Sequence, residues 1–439
     1  MDTENKKQRR DILFIGLALF ATYFGAGNLI FPPILGLQSG QNWVPGIIGL
    51  ALSGIFLPVI AMVVIGMCGS VTAITKHVSK NSYNIIIGAI MFVVLFVANP
   101  RTAATAIELG IQGTFPNAPY IPLVVVYFIL VFLVAKNEGA SLDRIGKFLT
   151  PAMVVILAIL IVYAFTSPIA EPVSTELKNP FINAFLGGYN TGDVLVSFLL
   201  ASVFLGTIES KGYKGKERNK VTMIAAAIAF IGLLFVYGGL LYMGACGSGL
   251  FPSNIGRAEL LVGLTKMVGG RLAMGALGIA CVLACLTTAV GQATAAADYF
   301  VTLSNGRFNY TVTVAVICLI SMMMALIGVD KIVAFSDPIY ATVYPIVLVL
   351  LLLGVFSRII PNDGGYKGAV LVTLVYSICS TAVSIGVRIS PIESFVNSMP
   401  FAEQGLGWIL PCVIGFIIGT LIYSATKKKS LCDEALQHE

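Results

Sequence analysis

The stretch FATYFGAGNLIFPP, Phe20–Pro33, lies inside the first long apolar run of the chain. It sets Gly25 and Gly27 around Ala26, follows them with Asn28, and closes on Pro32-Pro33. The glycines lie about fourteen residues into the run, close to a bilayer midplane at about 1.5 Å per residue. A freed backbone group there has no water to bond and is costly. Two glycines alone would suit close helix packing, but Asn28 and the double proline turn the reading toward a real break. Gly-x-Gly is no dinucleotide loop here, because no strand precedes it and the third glycine is missing.

Composition sets the surroundings of that stretch. Hydrophobic residues make up 57% and charged residues 11%, where a soluble domain carries about 25% charged residues. The mean hydropathy is +0.92, so the chain is an all-α integral membrane protein. Runs of spanning length fall near 12–36, 44–68, 83–111, 120–135, 147–166, 190–209, 221–245, 272–300, 309–328, 332–356, 367–387 and 404–426, which makes about twelve spans. Of the 27 Lys and Arg, twenty fall in the two tails and the connections after even-numbered spans, and six on the other side. The bias places both termini in the cytoplasm and accounts for the net charge of +6 without a nucleic-acid partner. Span 1 is too long for a signal peptide and lacks a small-residue cleavage site. The eight cysteines lie in spans, at their ends or in the tail, so no disulfide framework, metal site or cofactor is expected.

An odd-numbered repeat of spans must be inverted in its second copy. That suggests two five-helix units, 11–166 and 181–356, with two added helices at 367–426 and cytoplasmic tails at 1–10 and 427–439. Transporters built this way place their site where the first helix of each repeat is broken. In span 6 the break is placed around 201–206 by position, and Ser202 is taken as its contact. The stretch NIGRAELLVGLTKMVG (254–269) reads as a short amphipathic helix over the outer mouth.

Unwinding at Gly25–Asn28 frees carbonyls at the end of one half-helix and N–H groups at the start of the next. The N–H groups suit a carboxylate and the carbonyls an ammonium or a small cation, so one break can hold a zwitterion. Thr287 and Thr288 in ACLTTAVGQAT would either bond back to their own helix or join span 1 carbonyls in a sodium site. Arg101 and Glu108 in NPRTAATAIELG share one helix face. They mark function or a charge clamp on Pro100 and its neighbours. Asp337, before Pro338 in FSDPIYATVYP, would cap, pair or carry a proton. Gly415-x-x-x-Gly419 suits a contact between two copies.

With these motifs in view, the chain resembles the bacterial branched-chain amino acid:cation symporters of the BrnQ type. The matching stretches are FGAGNLIFPP, NPRTA, CLTTAVG, DPIYATVYP and PFAEQGLGWILP, in order along nearly the whole chain. The resemblance implies the leucine-transporter fold, the cytoplasmic membrane of a bacterium with its lipid, and import of leucine, isoleucine and valine with sodium or protons. By that match Gly25-Ala26-Gly27-Asn28 is the span 1 pattern of the wider fold. The Ala26 and Gly27 N–H groups would meet the substrate carboxylate and the Tyr23 carbonyl its ammonium. Carbonyls of Ala21 and Phe24 with the Thr287 and Thr288 hydroxyls would hold sodium. Asn28 would serve a second cation, for which span 7 offers no evident partner.

Three other classes compete. A proton-driven relative for another apolar amino acid would use Glu108, Asp193, Asp298 or Asp337. A passive channel would need a filter motif or polar ring, and neither is present. An enzyme is unsupported, since His77 and His438 lie outside the spans and no Gly-x-Ser-x-Gly or His-Glu-x-x-His occurs.

Overall fold

The first helix stops where the opening stretch says it should. In the computed structural model, which describes residues 2–25, 28–136 and 143–426, span 1 begins as the helix Asp2–Tyr23. The Phe24 N–H still reaches the Phe20 carbonyl at 2.8 Å, but the Gly25 N–H turns back to Tyr23 at 2.9 Å. The Ala21 carbonyl thereby loses the donor a continued helix would supply. A second half-helix, Phe31–Ser39, then starts with prolines in its first turn, where no backbone donor is required. Ala26, Gly27 and the tail 427–439 lie outside the described residues.

Twelve expected spans map onto the helices. Span 2 (43–68) continues from the second half-helix and contains a π-helical turn at Ala51–Phe56. Span 3 is Ser82–Ile111, with π-helical turns on both sides of Asn99–Thr105. Tyr120–Ala135 and Asp143–Thr166 are spans 4 and 5. Span 7 is Gly215–Cys246, and spans 9 and 10 are Tyr310–Ala325 and Val329–Val355. The helix Arg257–Leu303 bends at Gly270, φ +66°, which separates the expected short amphipathic helix from span 8 (271–303). Spans 11 and 12 are Asp363–Ser384 and Ile409–Ala425. Outward-facing Ile121, Val126, Ile129 and Leu133 on span 4, and Ile159 on span 5, give the molecule an apolar belt.

Span 6 corrects the sequence reading. It consists of Pro180–Tyr189 and Asp193–Ser210, and the second half runs unbroken through 201–206. The interruption is Asn190-Thr191-Gly192, with Gly192 at φ +75°. Ala201, Ser202 and Gly206 all take the helical conformation, which any of the three adopts without strain. A left-handed residue cannot continue a helix, and only glycine adopts that conformation cheaply. Asp193 follows at the first turn of the new helix, where the dipole favours a carboxylate.

Packing between the halves is reciprocal. Both half-helices of span 1 lie on span 7, while the two parts of span 6 lie on span 2. Span 3 packs on span 8 and span 4 on span 9. Exchanging the first five spans with the second five turns the span 1–span 7 contact into span 6–span 2 and leaves the other two unchanged, as an inverted repeat requires.

The added pair packs most tightly of all. Gly364 and Gly368 of span 11 face Gly415 and Gly419 of span 12, so that a Cβ on Gly368 would overlap the Gly415 carbonyl. The Gly-x-x-x-Gly stripe is therefore filled inside this chain and does not face a second copy. Gly368→Leu is expected to cost at least about 1–3 kcal/mol, read as a lowered melting temperature of the purified chain in detergent.

Candidate functional site

The two broken spans meet, and Asn28 joins them. Its Nδ2 lies 2.8 Å from Asp193 Oδ1, 3.1 Å from the Tyr23 carbonyl and 3.1 Å from the Tyr237 hydroxyl. The amide thus links the end of the first half of span 1, the start of the second half of span 6, and span 7. The opposite orientation would set Oδ1 against a carboxylate and a carbonyl, so the network fixes which way the amide points. The Tyr237 hydroxyl also donates to the Tyr23 carbonyl at 3.3 Å.

Arg101 closes the other side. Its Nη1 donates to the Asn190 carbonyl at 2.6 Å and Nη2 to the Thr191 carbonyl at 3.2 Å. These are the carbonyls left over where the first half of span 6 ends, so a guanidinium caps the negative end of a half-helix. Nη2 also approaches Asn28 Oδ1 at 3.5 Å, and the guanidinium lies 5.1 Å above the Phe31 ring. Arg101 is 4% and Asp193 2% exposed, and Asn28 stands between the guanidinium and the carboxyl. Groups this polar are tolerable in the interior only when hydrogen bonds serve them.

A second knot fixes Tyr23. Its hydroxyl lies 2.8 Å from Ser197 Oγ and donates to the Pro58 carbonyl at 3.0 Å, which also accepts from Ser197 at 2.9 Å. One hydroxyl pair thereby holds spans 1, 2 and 6 together. On span 10, Tyr344 stacks on Tyr189 with centroids 4.3 Å apart, and Tyr340 meets Tyr344 edge-on at 6.2 Å. Buried polar atoms around the span 6 break lack partners among the described residues: Arg101 Nε, Tyr189 OH, Asn190 Oδ1, Asp193 Oδ2 and Tyr344 OH. Such atoms in one place mark where a ligand or water completes the bonding.

The residues expected from the sequence divide into three groups. Tyr23, Gly25, Asn28 and Arg101 belong to this assembly. Here, however, the Tyr23 carbonyl is engaged by Asn28, Tyr237 and the Gly25 N–H. Ala21 supplies a freed carbonyl, and Phe24 is buried beside the break. Thr287 and Thr288 are half-buried on span 8, with the Thr287 hydroxyl bonded to the Ala284 carbonyl at 2.9 Å, the in-helix alternative. Ser202 is exposed, on a different face of its helix from Ser197. Ser197, one turn beyond Asp193, is the serine that faces the network.

Arg101 and Glu108 do not act together. The π-helical turn after Ala106 changes the helix phase between them. The Glu108 carboxylate accepts the Val329 N–H at 2.9 Å, capping span 10, and lines a cleft of about 560 Å³ with Glu259 and Lys266. Arg101 clamps carbonyls of span 6 rather than those near Pro100. Asp337 is exposed on span 10, and Asp298 is exposed on span 8. Of the four carboxylates considered as proton carriers, Asp193 is in the central network and Asp337 lies beside the Asn190 side chain at its edge.

Sequence reasoning missed Tyr237, Ser197 and the Asn190–Gly192 turn. The turn was readable, because Asn-Thr-Gly-Asp joins a helix stop to a helix start. Tyr237, the span 7 partner that Asn28 lacked in the sequence, carried no local signal.

A family model described as "Branched-chain amino acid transport protein" matches residues 8–426. The branched-chain amino acid permease BraB of Bacillus subtilis is 30% identical, over 94% of this chain and 95% of its own length. The permease BrnQ of the same bacterium is also 30% identical, over 94% and 96%. Among solved structures, Mhp1, a nucleobase-cation-symport-1 family transporter in a closed conformation, superposes with a TM-score of 0.62 at 14% identity, over 95% of this chain and 93% of that one. That likeness extends to the fold.

Replacing Arg101 by methionine leaves the Asn190 and Thr191 carbonyls buried without donors, at about 1–3 kcal/mol each. The variant is expected to melt several degrees lower in detergent. Arg101→Lys should recover little of the loss, because a single ammonium cannot reproduce the fork.

Proposed function

The chain belongs to the branched-chain amino acid transport protein family, and from that premise we propose that it imports leucine, isoleucine and valine by symport with a cation, most simply sodium. The protein is a transporter and not an enzyme. In this reading it sits in the cytoplasmic membrane of a bacterium with both termini inside, as the Lys and Arg bias favours. The five-helix units 11–166 and 181–356 work against each other around the two breaks, with 367–426 outside that exchange.

The observation that carries the proposal is the bridge from Asn28 to Asp193 between two interrupted spans, with Arg101 on its far side. Such a junction presents free helix ends of both signs to one small volume. The Ala26 and Gly27 N–H groups, ahead of the proline-led half-helix Phe31–Ser39, are the ones assigned to the substrate carboxylate. Tyr23, Asp193 and the freed Ala21 carbonyl offer oxygen to its ammonium and to a cation. Tyr237 supplies the oxygen on span 7 that a second cation beside Asn28 would use.

Energetics favour coupling and shared transport. A zwitterion carries no net charge, so the membrane potential alone cannot concentrate it. One accompanying monovalent cation adds about 2.3 kcal/mol per 100 mV, roughly 50-fold accumulation at about 1.4 kcal/mol per decade. Each buried methylene is worth about 0.8 kcal/mol, so a site fitted to leucine rejects alanine. It separates leucine from isoleucine and valine weakly.

A second reading keeps protons as the driving ion, because the Asp193 carboxylate is central while the Thr287 hydroxyl is spent on its own helix. Uptake of labelled leucine into proteoliposomes, under an imposed sodium or pH gradient, separates the two. Sodium dependence that disappears in Thr287→Ala/Thr288→Ala, with competition by isoleucine and valine, is the expected result. Uptake driven by a pH gradient alone and abolished in Asp193→Asn would move the coupling to that carboxylate.

A further inference from the structure

The stretch PFAEQGLGWILP (400–411) has no part in the two breaks, yet it reaches one of them. It leads into span 12 and folds over the half-helix Pro180–Tyr189. Two glycines make that approach possible. Gly405 lies at φ +68°, and a Cβ there would sit 2.9 Å from Leu186, while a Cβ on Gly407 would overlap the Tyr376 hydroxyl of span 11. Phe401 is held at φ +62°, a conformation that a bulky residue adopts only when its surroundings impose it. The turn itself imposes it, through the Leu406 and Gln404 N–H groups on the Phe401 carbonyl at 3.0 and 3.1 Å.

At the end of this turn Trp408, 7% exposed, presents its indole to the Tyr189 hydroxyl. Tyr189 is the last residue before the span 6 break and stacks on Tyr344. Trp408 Nε1 and Tyr189 OH are both buried, and neither has a partner at full hydrogen-bonding geometry. An indole N–H can only donate, and a phenol oxygen can accept. Each atom therefore supplies what the other lacks.

We propose that Trp408 is a positioning residue for transport, whose N–H bonds the Tyr189 hydroxyl in the substrate-bound state and sets the end of the first half of span 6. The appended pair of helices then acts on the site through one indole. The proposal rests on the transport reading and deepens it, because it gives spans 11 and 12 a part that the two five-helix units do not require.

The chain has two tryptophans, so Trp43→Phe leaves Trp408 as the sole tryptophan of the full-length protein, excited selectively beyond the tyrosine absorption. Adding leucine to this parent in detergent is expected to shift its emission, and Tyr189→Phe to remove the shift. In proteoliposomes, Trp408→Phe and Tyr189→Phe should each raise the KM for leucine about five- to tenfold, the worth of one hydrogen bond, with Vmax within about twofold. The double variant should be no worse than either single one, since both delete the same bond. Tyr189→Phe keeps its ring and loses only the hydroxyl, so for that variant packing alone predicts an unchanged KM, whereas Trp408→Phe also removes part of a buried ring system. An unchanged KM in both variants, or effects that multiply, would overturn the proposal. Uptake by the parent without an emission change would overturn it too and leave transport standing, whereas neither uptake nor leucine binding would remove both.

Discussion

Arg101 is the charge on which the centre of this protein depends. Two spans are interrupted inside the bilayer, and each interruption leaves carbonyls that a helix would have satisfied. A guanidinium solves the problem at span 6 because its planar fork serves the Asn190 and Thr191 carbonyls together. The Asp193 carboxyl stands two residues beyond those carbonyls, at the positive end of the next half-helix. Asn28 carries the network across to span 1.

The scaffold follows from the same constraint. A broken helix is tolerated in lipid only when intact helices surround it, and reciprocal packing gives each broken span such a cover: span 7 for span 1, span 2 for span 6. Tyr23, Ser197 and the Pro58 carbonyl lock spans 1, 2 and 6 into one body. Spans 11 and 12 lie outside this exchange and hold together through facing glycines rather than large apolar side chains. That is the expected currency between helices in lipid, where burying apolar surface gains little.

Much of the molecule was legible in the chain. Apolar runs separated by charged or proline-containing connections place the spans to within a few residues, since a bilayer imposes length and polarity on every segment that crosses it. The span 1 break was visible because its glycines, amide and prolines are adjacent. The span 6 break was misplaced by about ten residues, because symmetry was weighed above the local helix-stop signal at Asn190–Gly192. Ser202 went wrong with it. The shared face expected of Arg101 and Glu108 was lost for another reason: π-helical turns alter the phase of span 3, and composition does not announce them.

By itself the sequence determined the class of protein, the number and order of spans, the interruption at Gly25–Asn28 and the family whose motifs the chain carries. Each of these rests on residues that are near neighbours or on the uniform demands of lipid. Only the tertiary structure decided that Asn28 meets Asp193 and Tyr237, that Arg101 caps span 6, and that Trp408 faces Tyr189. Those contacts join residues tens to hundreds of positions apart. Their partners are set by helix phase and by the approach of whole helices, which no local pattern records.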